Sequence, residues 1–77
     1  MNYSEFLTWL LENKNMSIRS AKDVVSRLKR ALLIIQCDEL NDKSIHALNS
    51  ETNFLDLSVS VKSQLRRAIS LYIEFQK

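Results

Sequence analysis

The side chains able to do bond-making chemistry in this sequence are few and far apart. His46 is the single histidine and Cys37 the single cysteine. A metal centre takes three or four such ligands at short spacing, and neither residue has a second one near it. One cysteine also excludes an intrachain disulfide, so Cys37 reads as a small, partly buried apolar residue in a reducing compartment. The carboxylates are scattered over helix ends and loops, and no two of them form an acid and base pair. A serine, a histidine and an aspartate can be found in any chain this size, which makes no triad without geometry. The chain has no glycine. A glycine-rich phosphate loop, a dinucleotide fingerprint and a nucleophile elbow are thereby excluded. The expectation is a protein with no catalytic residue, metal site, cofactor or small-molecule substrate.

What the residues can do is bind. Residues 14 to 30 hold Lys14, Arg19, Lys22, Arg27, Lys29 and Arg30 against Asp23 alone, and residues 58 to 73 hold Lys62, Arg66 and Arg67 with no acid. Residues 38 to 56 reverse the sign, with Asp38, Glu39, Asp42, Glu51 and Asp56 against Lys43. The net charge of +2 conceals this segregation. Basic segments of this kind suit a phosphate backbone, where each neutralised phosphate releases a counterion. Ser20, Ser26 and Ser63, mixed among the cations, can donate to phosphate oxygens. A solvated helix surface carries similar charge runs, so charge alone does not decide between the two.

These residues must be positioned by helices. The 77 residues include neither glycine nor proline, where average usage of about 7% and 5% predicts roughly five and four. Tight hairpin turns lean on glycine and helix interiors suffer from both residues, so the fold is expected to be all-α. A chain this short has room for one core, and its stability is marginal. Tyr3, Phe6, Leu7, Leu10 and Leu11 recur at helical spacing over about residues 2–12, with Trp9 on the flank. Asn13-Lys14-Asn15 is a turn. A long second helix spans about 17–36, with Ser17 as its cap and Ser20 to Asp23 as a second capping box. Ala21, Val24, Val25, Leu28, Leu32 and Ile35 form its apolar face. The run from Ala31 to Ile35 is apolar all round, so it is buried on every side or Leu33 and Ile34 stand exposed. Asn41 or Asp42 caps a short third helix holding Ile45, Ala47 and Leu48, while Phe54, Leu55 and Leu57 seal the bottom of the core. The last long helix spans about 58–76 and begins at Ser58 or Ser60. Val61, Leu65, Ala68, Ile69 and Tyr72 make its apolar face, extended by Phe75. Ser26 to Ala31 echoes Ser63 to Ala68 at an offset of 37 residues, which fits either an internal duplication or the generic likeness of basic amphipathic helices. No apolar run approaches the ~18 residues of a membrane span, and the N-terminus shows no signal-peptide pattern. A cytoplasmic protein is expected.

The order of parts resembles the N-terminal core-binding domain of tyrosine recombinases, the phage integrases. The family's aromatic-leucine first helix is matched by Phe6-Leu-Thr-Trp-Leu10, and its serine signal before the long helix by Ser17-Ile-Arg-Ser20. Val24, Leu28 and Leu32 follow the family's spacing in that helix. Leu40-Asn-Asp-Lys-Ser-Ile45 loosely matches the start of its short helix, and Leu57 to Tyr72 resembles its last one. The resemblance covers nearly the whole chain and implies a single domain over residues 1–77, a compact four-helix SAM-like bundle. It implies a domain that sits against duplex DNA as half of a clamp. The family's catalytic half has no counterpart here, and Tyr3 and Tyr72 lie in the wrong context to replace its nucleophile.

Two functions of different kind are therefore expected. One is a non-catalytic module of a mobile element or phage that binds double-stranded DNA. Its contacts would come from Ser17, Arg19, Ser20, Lys22, Arg27, Lys29, Lys62, Ser63, Arg66 and Arg67. The other is a protein-interaction module that docks on a host defence enzyme or on a second copy of itself through Leu33 and Ile34. Neither involves a membrane.

Overall fold

The computed structural model describes residues 3–36, 40–41 and 43–77. Five helices follow one another: α1 (Tyr3–Asn13), α2 (Ile18–Ile35), α3 (Ser44–Asn49), α4 (Thr52–Leu55) and α5 (Val59–Gln76). No strand occurs among the described residues. The two long helices fall where the periodicity places them. The region expected to hold one short helix holds two, since the segment around Phe54 closes a single α-helical turn of its own.

Serines start both long helices. Ser17 has extended backbone, and its hydroxyl oxygen accepts from the Ser20 amide at 3.2 Å. Ser58 does the same for the Val61 amide at 3.3 Å. Each bond satisfies an amide that the helix leaves unpaired, worth about 1 kcal/mol. Ser20 to Asp23 is not a second cap, because it lies inside α2. The third helix begins differently from the expectation: its cap position is Lys43, which makes no side-chain bond. Asn41 instead folds a turn ahead of it. Its Oδ1 accepts from the Lys43 amide at 2.8 Å, and its own amide donates to Ser44 Oγ at 2.9 Å. Cys37, Asp38, Glu39 and Asp42 lie outside the described residues.

The sharp turns are made without glycine. Asn15, between α1 and α2, takes φ 53°, and Gln36, which ends α2, takes φ 51°. The left-handed region costs a residue with a Cβ roughly 1–2 kcal/mol, least for asparagine. At Gln36 the chain gains a bond in return, its amide donating to the Leu32 carbonyl at 2.8 Å.

Against each other, α2 and α5 form the main pair of the fold, with α1 across them on one side and α3 on the other. The core comprises Leu10 and Phe6 of α1, Ala21, Val24, Leu28 and Ala31 of α2, and Leu65, Ala68, Ile69, Leu71 and Tyr72 of α5, closed by Leu40, Leu48 and Phe54. Equivalent positions of the echoed hexapeptides thus do equivalent work: Leu28 and Leu65 are buried, as are Ala31 and Ala68. Leu55, expected to help seal the core, is 53% exposed, because the one-turn α4 can turn only Phe54 inward. Ala47 is likewise exposed.

Phe6 is the point where α1 is fixed. Its fully buried ring meets Tyr72 edge-on at 4.9 Å and Phe75 at 5.5 Å, and stacks with Trp9 at 6.1 Å. Beside this cluster Lys14 Nζ donates to Glu74 Oε1 at 2.8 Å and lies 5.5 Å from the Trp9 ring. The ion pair is partly exposed and contributes at most about 1 kcal/mol; the aromatic packing dominates. Phe6→Ala is expected to cost about 3–5 kcal/mol, comparable to the ~3–5 kcal/mol a core of this size supplies. Urea denaturation followed by circular dichroism should find that variant largely unfolded without denaturant.

Candidate nucleic-acid interface

The helices distribute the basic residues over three places. The first is a cleft of about 340 Å³ lined by Met16, Ser20, Asp23, Val24 and Arg27 together with Arg67 of α5. It brings guanidinium groups from both long helices to one site, 40 residues apart in the chain. Ser20 and Arg27 lie seven residues apart, two helical turns, and so on one side of α2. Neither arginine has a carboxylate within ion-pair distance among the described residues. With Asp23 on the same cleft, the local balance is one positive charge.

A second cleft, of about 280 Å³, runs along the opposite side of α2, where it meets α1. Lys22 and Lys29 line it, again seven residues apart, over a floor of Tyr3, Leu7 and Val25. Lys29 Nζ stands 4.8 Å from the centre of the Tyr3 ring. Between the two clefts Arg19 and Arg30 are exposed on α2, so cations outnumber the one acid, Asp23, on the outer surface of that helix.

The third place is the far side of α5, toward α4. Here the Arg66 guanidinium lies 5.6 Å from the Phe54 ring, and its Nε donates to the Lys62 carbonyl at 3.4 Å. Lys62 and Arg66 are half-buried, whereas Ser63 and Arg67 are exposed. Helical geometry separates neighbours in sequence: Arg66 and Arg67 are about 100° apart, so one packs on Phe54 and the other reaches the α2 cleft. Ser17 is exposed at the start of α2, its hydroxyl already donating to Ser20 Oγ at 3.1 Å.

The ten residues expected to touch DNA are therefore not one patch. Ser20, Arg27 and Arg67 converge; Lys22 and Lys29 form a separate pair; Lys62 and Arg66 stand apart from both. Sequence reasoning passed over Met16 and Asp23 as cleft residues. The spacing of Ser20, Asp23 and Arg27 on one side of α2 was a signal that could have shown the latter. Arg30, exposed on the same helix, was also left out of the expected contacts.

Leu33 is 78% exposed on α2, but Ile34 is half-buried and packs against the core. Of the two alternatives for the apolar run, exposure holds for Leu33 alone. Elsewhere, His46 is exposed, and no three His, Cys, Asp or Glu side chains gather among the described residues. No helix is long and apolar enough to cross a membrane among the described residues. No protein-family model, curated protein or solved structure matches the chain.

The different settings of Arg66 and Arg67 separate in a stability measurement. Arg66→Gln is expected to lower the unfolding free energy by about 0.5–1 kcal/mol through loss of the contact with Phe54. Arg67→Gln, exposed and unpaired, should change it by less than about 0.5 kcal/mol. Paired urea titrations of the two variants check this.

Proposed function

We propose that this protein is a non-catalytic, cytoplasmic DNA-binding module of a mobile element or phage, which seats the duplex backbone on the basic surface of α2 and α5. The observation that carries the reading is the convergence of Arg27, Arg67 and Ser20 on one cleft between the two long helices. Arginine presents a rigid planar fork of donors that matches phosphate oxygens, and a nearby hydroxyl adds a further bond. Unpaired guanidinium groups meet a phosphate without first giving up an internal partner. The exposed Arg19 and Arg30 extend the positive surface along α2, and counterion release then drives binding of any sequence.

The proposal includes the likeness to the core-binding domain of tyrosine recombinases. What supports that likeness is the order of the elements: apart from the one-turn α4, the chain has the four helices α1, α2, α3 and α5 that the resemblance implies. Recombination itself is not part of the proposal.

A second reading is favoured by one specific observation, the 78% exposure of Leu33 amid charged neighbours. A single exposed apolar side chain is ordinary on a protein surface, so Leu33 supports docking only as one contact of a larger partner surface. That reading loses Ile34, which is occupied by the core.

A fluorescence-anisotropy titration with a labelled duplex of about 30 base pairs, repeated across a salt series, tests the first reading. Contact with about four phosphates predicts a log–log slope near −3.6 and roughly a 100-fold weaker affinity at 200 mM than at 50 mM salt. Arg27→Glu/Arg67→Glu should abolish binding while leaving the circular dichroism spectrum unchanged. Salt-insensitive affinity, or full affinity in the double variant, would reject the α2–α5 surface.

A further inference from the structure

The valley between α1 and α2 is a surface that the DNA reading does not use. Its floor is apolar: Tyr3 and Leu7 of α1 and Val25 of α2 line it, half-buried and packed on the core beneath. Its rim is basic. Lys22 and Lys29 border it, both exposed, and no carboxylate is among its lining residues. Neither lysine has a carboxylate within ion-pair distance among the described residues. The valley therefore sets two positive charges beside an apolar floor, whereas in the cleft on the opposite side of α2 Asp23 offsets one of the two arginines.

The basic rim continues into an apolar one. Lys22, Lys29 and Leu33 stand at positions i, i+7 and i+11 of one unbroken helix, and so on the same side of α2. Leu33, 78% exposed, thus lies in line with the two lysines and one turn beyond the second. A valley between two packed helices takes the ridge of a third. A helix laid along α2 matches the strip with acids seven residues apart, about 10.5 Å, and an apolar residue one turn further on. Between its acids, at its own positions i+3 and i+4, apolar side chains meet the floor. Lys29 can pair without giving up its present contact. Its Nζ stands 4.8 Å from the centre of the Tyr3 ring, and an ammonium has donors to spare for a carboxylate. A phosphate backbone fits the valley less well, since it has no apolar surface to lay on Leu7, Val25 and Leu33. A second copy of this chain fits less well too. Its α2 and α5 hold one acid each, and Glu5 of α1 is already engaged within the chain.

We propose that the α1–α2 valley binds an acidic amphipathic helix of a partner protein, with Lys22 and Lys29 pairing its carboxylates and Leu7, Val25 and Leu33 receiving its apolar side. The ion pairs set direction and register, and the apolar contact supplies most of the affinity. A strip of three turns on one helix, with its neighbour, belongs at or below the small end of the specific range of about 1,200–2,000 Å². Micromolar, salt-sensitive binding follows. The inference deepens the docking reading of Leu33, on which it rests, by giving that side chain the surface it belongs to. The cleft of Arg27 and Arg67 stays open when the valley is filled, so the DNA reading stands or falls separately. Lys22 and Lys29 are withdrawn from any nucleic-acid face.

The test is a fluorescence-anisotropy titration of the full chain into a labelled helical peptide of about 18 residues. The peptide carries two glutamates seven residues apart, with leucines three, four and eleven residues after the first. The wild-type chain is expected to bind it at micromolar concentration, about tenfold more weakly at 500 mM than at 50 mM salt. Lys22→Glu/Lys29→Glu should weaken binding at least about tenfold, and should instead bind the peptide whose two glutamates are replaced by lysines. Leu33→Asp should weaken binding about threefold or more. Replacing the peptide's glutamates by glutamines tests the same ion pairs on the unaltered chain, should the lysine variant fold poorly. Failure of the wild-type chain to saturate by about 500 µM overturns the proposal. So does equal binding of a scrambled peptide, or undiminished binding to the lysine variant. Loss of binding in Leu33→Asp alone, with the lysines indifferent, would leave docking at Leu33 standing and reject the valley. Displacement of the peptide by duplex DNA from Arg27→Glu/Arg67→Glu would hand the valley to nucleic acid. Sedimentation of the chain alone is expected to show a monomer; a dimer dissolved by Lys22→Glu/Lys29→Glu would hand it to a second copy.

Discussion

The packing of α1 onto α5 through the Phe6 ring is the interaction on which the rest of the domain depends. A short helix of this length is not stable alone in water. It exists because Phe6 and Leu10 are fully buried, and because Tyr72 and Phe75 present ring edges and faces at 4.9 and 5.5 Å. Once α1 is held there, it covers one side of the α2–α5 pair, as α3 covers the other. The Lys14–Glu74 ion pair sits over the same junction and adds orientation more than energy. With no disulfide available, a small core of this kind has few redundant contacts, and losing the aromatic knot would free the very helices that carry the basic residues.

That dependence links packing to the proposed function. Arg27 and Arg67 meet only because α2 and α5 are locked side by side; neither belongs to a local motif. Their convergence is a property of the tertiary fold, whereas the flanking cations Arg19 and Arg30 belong to α2 alone. Asp23 keeps the cleft from being strongly basic, so the field over this surface comes from the outer side of α2 as a whole. An extended polyanion fits such a distribution better than a small anion does.

The long helices were legible in the sequence because three independent signals agreed on them. Ser17, and Ser58 or Ser60, marked their starts, the 3.6-residue spacing of Val24, Leu28, Leu65 and Ile69 marked their inner faces, and the absence of glycine and proline left them uninterrupted. The middle of the chain was less legible. Short helices have no room for periodicity, so the single turn around Phe54 was not anticipated as a helix, and Leu55 was assigned to the core when only one residue of that turn could enter it. Asn41, one of the two residues expected to cap α3, acts through a turn and not as the cap. The candidate site shows the same limit. Residue type and charge picked out the cations, but sequence gives no account of how α5 is rotated against α2. That rotation sends Arg67 to the cleft and Arg66 to Phe54. It also decides that Leu33 faces solvent while Ile34 faces the core.

The most direct test of the central claim, that the α2–α5 cleft receives the DNA backbone, is residue-resolved. Amide and arginine side-chain NMR signals of the labelled chain would be followed as an unlabelled duplex is added. The account predicts the largest shifts at Ser20, Arg27 and Arg67, smaller ones at Arg19 and Arg30, and little change at Lys62 or Arg66. Shifts centred on α3 and α4, or none at low salt, would contradict it.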